Sequence, residues 1–286
     1  MGREHSPLRL GRIAYLNVWP LYEALLPAFP EGPDIAYVPG HPSTLNAALA
    51  HGTVDAAPAS AFAYLSNPEP FDLLPNLCIR AADGPIQSVL FCSPVPLPEL
   101  PDYLARTGHP VALSGASASS NALLQVLWRF AWNFPRVPLT MIEPGTGLET
   151  GFPFVEIGDL ALSRYLAPPP GWHVTDLGQA WKEFVGTPFV FALWIVRRGL
   201  DDRLRATLNR VGQLLAAIKA DLPERLPALV TAPSRPDWIP PEALLAYLRV
   251  VSYDLDAQAM ASLLLFGEYC RELGLIPSVP GLSFVR

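Results

Sequence analysis

Apolar residues in the first two thirds of the chain come in short runs. Each run is followed by a small polar segment and then by apolar positions spaced as on one face of a helix. Strands are predicted over residues 10–16, 35–38, 54–58, 88–92, 111–113, 154–159 and 188–196, and helices over residues 43–50, 59–64 and 121–132. Because such alternating elements are joined by crossover connections, the pattern predicts an α/β fold with mainly parallel sheets flanked by helices.

After Gly199 the pattern becomes helical, with helices predicted over residues 204–220, 241–250 and 256–273. We expect these C-terminal helices to pack on one domain. The chain is predicted to cross between two lobes near residues 93 and 191. Residues 1–93 and 192–286 then form lobe I, and residues 94–191 form lobe II. The cleft between such lobes is a usual place for a small ligand.

Composition narrows the classes of partner. Half of the 286 residues are hydrophobic, 16% are charged, and the formal net charge is −6 with only two lysines. Without clustered basic residues, neither nucleic acid nor an anionic membrane surface is an expected partner. Because no secretory leader or membrane-length apolar run is present, we expect a soluble cytoplasmic protein. The oligomeric state is left open, a homodimer included.

Asn17 lies at the carboxyl end of the first predicted strand, just before a helix that starts near Pro20. Ligands of open α/β sheets bind at such strand ends, beside helix N-termini. An amide both donates and accepts hydrogen bonds but carries no charge, so Asn17 would orient a ligand rather than move a proton. The alternative interpretation is an asparagine that caps the helix.

A serine-rich segment leads from the strand at residues 111–113 into the next helix. Small residues there leave backbone N–H groups accessible, and the helix dipole favours an anion at that end. We therefore predict that Ser117, Ala118, Ser119 and Ser120 bind an anionic group. A serine cap provides the alternative explanation, for which Ser119 or Ser120 alone suffices.

Two further turns are candidates for ligand contacts. Gln87 and Ser88 follow Asp83-Gly84-Pro85, a turn that enters the strand before the first crossing, and both would face the cleft. Asp159 follows a strand end and either contacts ligand or caps the next helix. The alternative interpretation of Asp83-Gly84-Pro85 is a turn without a functional role, because these residue types favour turns for backbone reasons alone.

Several common sites are missing from the sequence. It contains no glycine-rich nucleotide loop, no nucleophile elbow and no pair of histidines four residues apart. Cys78, Cys92 and Cys270 have neither metal-site nor disulfide spacing and are predicted to pack as small hydrophobic residues. We therefore expect no metal and no cofactor.

Taken together, six segments in the first two thirds of the chain resemble the chorismate dehydratases of the futalosine route to menaquinone. The resemblance covers roughly residues 8–198, and the segments are Tyr15-Leu16-Asn17 with Pro20-Leu21, Pro42-Ser43 with Leu45-Asn46, residues 83–89, residues 116–120, Ile157-Gly158-Asp159 with Ala161-Leu162, and residues 176–194. The C-terminal helices match only in general character.

The resemblance implies a type II periplasmic-binding-protein fold and a cytoplasmic enzyme that converts chorismate into 3-[(1-carboxyvinyl)oxy]benzoate and water. It implies substrate carboxylates at the Ser117–Ser120 helix start and near Ser88, with Asn17 orienting the substrate or helping the hydroxyl to leave. The base is either the substrate's own enolpyruvyl carboxylate or a side chain such as Asp159. Two alternatives stay open: the dihydroxynaphthoate synthase of the same pathway, and a non-catalytic anion-binding protein.

Overall fold

A computed structural model describes residues 6–285. Within this range the strands are β1 (Leu8–Arg12), β2 (Ile35–Pro39), β3 (Ala56–Ser60), β4 (Phe71–Ala81), β5 (Val89–Ser93), β6 (Val111–Ser114), β7 (Leu139–Ile142), β8 (Phe154–Ile157), β9 (His173–Asp176), β10 (Val190–Arg197) and β11 (Val251–Ser252). The helices are α1 (Trp19–Ala28), α2 (Pro42–Ala50), α3 (Ala61–Ser66), α4 (Leu100–Thr107), α5 (Ala118–Val126), α6 (Gly147–Thr150), α7 (Gly158–Leu166), α8 (Leu177–Val185), α9 (Asp202–Leu229), α10 (Pro241–Val250) and α11 (Ala257–Glu272). A π-helical turn, Leu127–Ala131, extends α5.

Two sheets organise the described residues. The first has the strand order β11-β4-β10-β3-β1-β2, and the second has the order β7-β6-β8-β5-β9. Both sheets are mixed: apart from β10 and β11 in the first sheet and β5 in the second, the strands of each sheet share one direction, as predicted. The return strand β10 runs antiparallel to both β3 and β4, and β5 runs antiparallel to both β8 and β9. β5 and β10 each bring the chain into a sheet from the other lobe. Such a strand is not part of a crossover unit, so it need not run parallel to its neighbours.

The first crossing differs from the predicted one. β5, which a boundary at residue 93 assigns to lobe I, pairs with β8 and β9 in the second sheet. The chain therefore leaves the first sheet after Ala81, at the end of β4. It returns with β10, which begins at Val190. All five residues of β5 are buried, so this strand is interior to its sheet rather than a connector.

The C-terminal helices do not all pack on one sheet. α9 packs on β1 and β4 of the first sheet, as predicted, whereas α11 contacts both β10 and α5. Trp181 of α8 is fully buried and donates its indole N–H to Ser262 of α11 at 3.1 Å. α11 therefore joins the two halves of the molecule behind the cleft.

The predicted burial of the cysteines is confirmed, since all three thiols are buried. Burial raises the pKa of Cys92 to about 12, so this thiol stays protonated near neutral pH. Among residues 6–285, no helix is long and apolar enough to cross a bilayer.

Candidate ligand cleft between the two sheets

A cavity of about 50 Å³, which we call the cleft cavity, lies where strand ends of the two sheets meet. The first sheet and its connections supply Ile13, Tyr15, Asn17, Pro42, Ala59, Ser60, Ile79, Phe191 and Ala192, and the second supplies Ser88, Val89, Ser117, Ser120, Ile157 and Gly158. Ligand pockets usually measure about 300–1,000 Å³. The cleft cavity in this structure is therefore smaller than a usual ligand pocket.

Asn17 lies in the turn between β1 and α1 and lines the cleft cavity. Its Oδ1 atom is buried and has no hydrogen-bond partner among the described residues. Leaving such an atom unpaired costs about 1–3 kcal/mol, which a bound ligand would offset. The capping alternative is wrong, because Val18 holds the N-cap position of α1 and no side chain caps that helix.

Ser88 lies immediately before β5 and is buried at the cavity wall. Its Oγ accepts a hydrogen bond from the hydroxyl of Tyr247 at 2.9 Å. Gln87 is not among the residues that line the cavity; its φ is +63°, and its N–H donates to the Asp176 carboxylate at 2.6 Å. The turn therefore presents Ser88 to the cleft, whereas Gln87 contributes the backbone geometry.

The residues of the serine-rich segment make two different sets of contacts. Ser117 is the N-cap of α5, and its Oγ lies 2.7 Å from that of Ser120; both residues line the cavity. The N–H groups of Ala118 and Ser119 have no hydrogen-bond partner among the described residues. Ser119 is not among the residues that line the cavity, and its Oγ lies 2.8 Å from the Oγ of Ser60 at the end of β3, which does line it. Of the predicted anion site, Ser117 and Ser120 therefore line the cavity, and Ala118 and Ser119 offer backbone N–H groups.

Asp159 also spans the two sides of the cleft. It is the second residue of α7, and its Oδ1 accepts the N–H of Leu16 at 2.9 Å. Burial raises the pKa of its carboxyl group, and the Leu16 N–H opposes that shift. Asp159 is not among the residues that line the cavity, and Ile157 rather than Asp159 is the N-cap of α7. Its hydrogen bond to Leu16 joins the two sides of the cleft, and we call this bond the latch.

Three tyrosines that were not among the predicted site residues contact or line the site. Tyr247 donates to Ser88, and Tyr253 donates to the carbonyl of Asn17 at 2.7 Å. Both lie in the C-terminal segment, whose sequence carries no signal for these long-range contacts. Tyr15 lines the cavity, its hydroxyl lies 3.1 Å from His41, and burial raises its pKa to about 12.

The side chains that line the cleft cavity are neutral. Among the described residues that line it, none is a lysine, arginine, histidine, aspartate or glutamate. Hydroxyls, one amide and the N-terminus of α5 remain, and such donors bind an anion well in a closed site. Tyr15 is protonated near neutral pH because its pKa is about 12, so it is no general base.

The close approach across the cleft depends on Gly158. Its φ is +71°, and a Cβ placed there would lie 2.8 Å from the Tyr15 ring. We expect Gly158→Ala to lower the free energy of unfolding by about 1–3 kcal/mol and to weaken closure of the cleft. Thermal unfolding measures the first effect. Gly151→Ala is the matched control, since Gly151 has a φ of +68° but no atom within 4 Å of an added Cβ. Equal losses in both variants would show that the Tyr15 contact contributes nothing.

Comparisons with known proteins add to this geometry. A protein-family model described as menaquinone biosynthesis matches residues 8–272. The chorismate dehydratase of Thermus thermophilus is 33% identical over 207 residues, which span 67% of this chain and 70% of that protein.

Solved structures show the fold. A crystal structure of a protein from Archaeoglobus fulgidus has a TM-score of 0.70 at 16% identity and covers 94% of this chain and 98% of its own. The periplasmic aliphatic sulphonate binding protein SsuA of Escherichia coli has a TM-score of 0.64 at 15% identity, with 99% and 94% coverage. These likenesses confirm the predicted two-lobed fold of the periplasmic-binding-protein class.

Proposed function

The chain belongs to the menaquinone-biosynthesis family, and we propose that it is the chorismate dehydratase of that route, a lyase that removes water from chorismate to give 3-[(1-carboxyvinyl)oxy]benzoate. Family membership confirms the resemblance predicted from the sequence. The observation that carries the proposal is the relative's dehydratase activity together with a cleft of hydroxyls, one amide and a helix N-terminus. Such a cleft suits a substrate that bears two carboxylates.

Binding would use the two sides of the cleft differently. The free N–H groups at the start of α5, with Ser117 and Ser120, would hold one carboxylate. Ser88 would donate to the other: Tyr247 already donates to its oxygen, and its own proton makes only a long bond of 3.4 Å to the Ile86 carbonyl, which a carboxylate would replace. Asn17 would meet the ring hydroxyl that departs. Gln87 would act through the backbone geometry of its turn, and Ala118 through its backbone N–H. Asp159 would hold the two sides of the cleft together through its hydrogen bond to Leu16.

The elimination itself needs a base, and we assign that role to the substrate. The enolpyruvyl carboxylate would take the proton from the ring carbon that bears the ether. The C–H electron pair then forms the new ring double bond as the neighbouring C–O bond breaks, and the carboxylic acid just formed returns its proton to the departing hydroxyl, which leaves as water. Since the product ring is aromatic, positioning and electrostatic preorganisation suffice as the protein's contribution. No lining carboxylate or histidine competes for the role.

Two variants of Asp159 separate a latch from a base. Asn keeps an oxygen that accepts the Leu16 N–H but cannot take a proton, whereas Ala removes the acceptor. We expect Asp159→Asn to keep kcat within about threefold and Asp159→Ala to lower kcat/KM about tenfold, because a lost charge-assisted bond is worth about 1.5–3 kcal/mol. Steady-state kinetics with chorismate measures both. A loss of kcat in Asp159→Asn as large as in Asp159→Ala would assign the base role to Asp159.

The direct test is to incubate the purified protein with chorismate and follow the products by chromatography and mass. A new species lighter by one water, formed by the wild-type protein and far more slowly by Asn17→Ala, is the expected result. Chorismate that binds but stays unchanged would point to a binding protein. Neither turnover nor binding would reject the dehydratase and favour the dihydroxynaphthoate synthase.

We also propose that the protein works in the cytoplasm, which its biosynthetic relative supports. In this proposal the two lobes meet at the cleft cavity. The reaction needs no metal or cofactor, and the protein binds neither nucleic acid nor a membrane. Cell fractionation tests the location. Size-exclusion chromatography distinguishes a monomer from a homodimer.

A further inference from the structure

A second cavity of about 530 Å³ lies away from the cleft, between the end of α5, the loop before β7 and the end of α11. Its apolar wall includes Leu124, Trp128, Phe130, Phe134, Leu139 and Leu273. The volume falls within the range of about 300–1,000 Å³ that is usual for small-molecule sites. Leu124, the first α5 residue in its lining, lies seven residues along the helix from Ser117, a rise of about 10 Å. It is therefore a different site from the cleft cavity.

The aromatic wall is a fixed surface. Trp128 is buried and donates its indole N–H to the carbonyl of Pro135 at 2.8 Å, and Phe134 meets it edge-on with ring centroids 5.2 Å apart. Phe130 packs on Tyr269 of α11 at 4.9 Å. Trp128 and Phe130 belong to the π-helical turn, and such turns inside helices are frequent at functional sites.

Positive charge lies at the edge of this wall. Arg129 and Arg136 both line the cavity and are exposed, and neither guanidinium group forms a hydrogen bond or an ion pair with any described residue. Glu272 is the acidic residue in the lining, and within the described chain it has no ion pair with either arginine. The lining thus keeps a net charge of +1, with two guanidinium groups available to a carboxylate.

We propose that this second cavity binds a small aromatic carboxylate. The ring would lie on the Trp128 and Phe134 surface, and the carboxylate would be held by Arg129 and Arg136. An apolar body with one anionic end matches the lining, whereas an uncharged or cationic ligand leaves both guanidinium groups without a partner. The inference does not depend on the dehydratase activity, because it uses no residue of the cleft.

The test compares 2-naphthoate with naphthalene-2-carboxamide, which has the same shape and no charge. Titration calorimetry and the fluorescence of the protein's tryptophans follow binding to the full-length chain. We expect 2-naphthoate to bind at least fivefold more tightly than the carboxamide. The double variant Arg129→Gln/Arg136→Gln should weaken 2-naphthoate at least fivefold. Arg106→Gln is the matched control, since Arg106 is exposed on α4 and has no ion pair with a described residue.

Each other outcome overturns the proposal. Equal affinity of the double variant and Arg106→Gln for 2-naphthoate would show that the arginines do not hold the carboxylate. Binding that is lost in Asn17→Ala and kept in the double variant would assign the ligand to the cleft. A wild-type dimer that the double variant dissociates in size-exclusion chromatography would identify a second copy as the occupant. Unchanged melting temperatures of the variants exclude misfolding as a cause.

Discussion

Replacing Asn17 with alanine is expected to lower kcat for the dehydration of chorismate by about 10²–10³-fold, the usual cost of removing one preorganised hydrogen-bonding group from an active site. The physical reason is the amide oxygen, which is buried at the cleft without a partner. The Tyr253 hydroxyl holds the carbonyl of the same residue, so the amide is positioned before substrate arrives. An alanine leaves the ring hydroxyl of the substrate with no group to orient it.

Stopped assays of chorismate consumption at several substrate concentrations measure this effect. A fall in kcat with unchanged KM would mean that Asn17 acts in the transition state, and a rise in KM alone would mean that it only binds substrate. Asn209→Ala is the matched control, because Asn209 is exposed on α9. A folded Asn17→Ala protein with full turnover would remove Asn17 from the mechanism.

Part of this cleft could be predicted from sequence because the carboxyl ends of neighbouring strands meet at one edge of a sheet. Asn17 follows β1, and Ser117 and Ser120 follow β6. Ser88 instead precedes β5, which runs antiparallel to β8, so that its start lies beside the end of β8; the structure brings all four residues to a single cavity. Their chemical roles stay predictions. A helix turns about 100° per residue, so adjacent serines cannot all face one ligand, and Ser119 faces Ser60 instead.

Other features had no local signal. Strand β4 is eleven residues long but was not predicted, because Pro75 and Asn76 interrupt it and Asn76 adopts a φ of 59°. The pairing of β4 with β10 shifts register there, so the sheet tolerates the interruption as a bulge. Tyr247 and Tyr253 reach the site from more than 150 residues away along the chain, as the separation of Tyr247 from Ser88 shows. The spacing of apolar residues along the sequence predicts which residues are buried, but not which distant residue a buried side chain contacts.

A second large effect is expected on stability. Arg164→Ala should lower the free energy of unfolding by about 3–5 kcal/mol, because it leaves a buried carboxylate without its partner. Glu156 is 2% exposed and Arg164 is 7% exposed, and the two side chains form an ion pair behind the cleft. The guanidinium also lies 5.2 Å from the centre of the Phe154 ring. Denaturant unfolding measures the loss, with Arg225→Ala on the exposed face of α9 as the control.

The double variant Glu156→Gln/Arg164→Met tests the cause. It removes both charges and keeps much of the side-chain volume, so it should be clearly more stable than Arg164→Ala. If both variants lost the same stability, packing rather than the uncompensated carboxylate would be the reason.

The pH dependence gives the sharper test of the same ion pair. Burial raises the pKa of Glu156, and Arg164 opposes that shift, so Arg164→Ala should raise the pKa further. A carboxyl group with a raised folded-state pKa contributes stability below its unfolded pKa and loses it as the pH rises through the folded value. The variant should therefore lose less stability at pH 5 than at pH 8, and an equal loss at both would mean that Glu156 stays ionised without Arg164. Because the next two residues, Ile157 and Gly158, line the cleft, chorismate turnover should recover with stability at the lower pH.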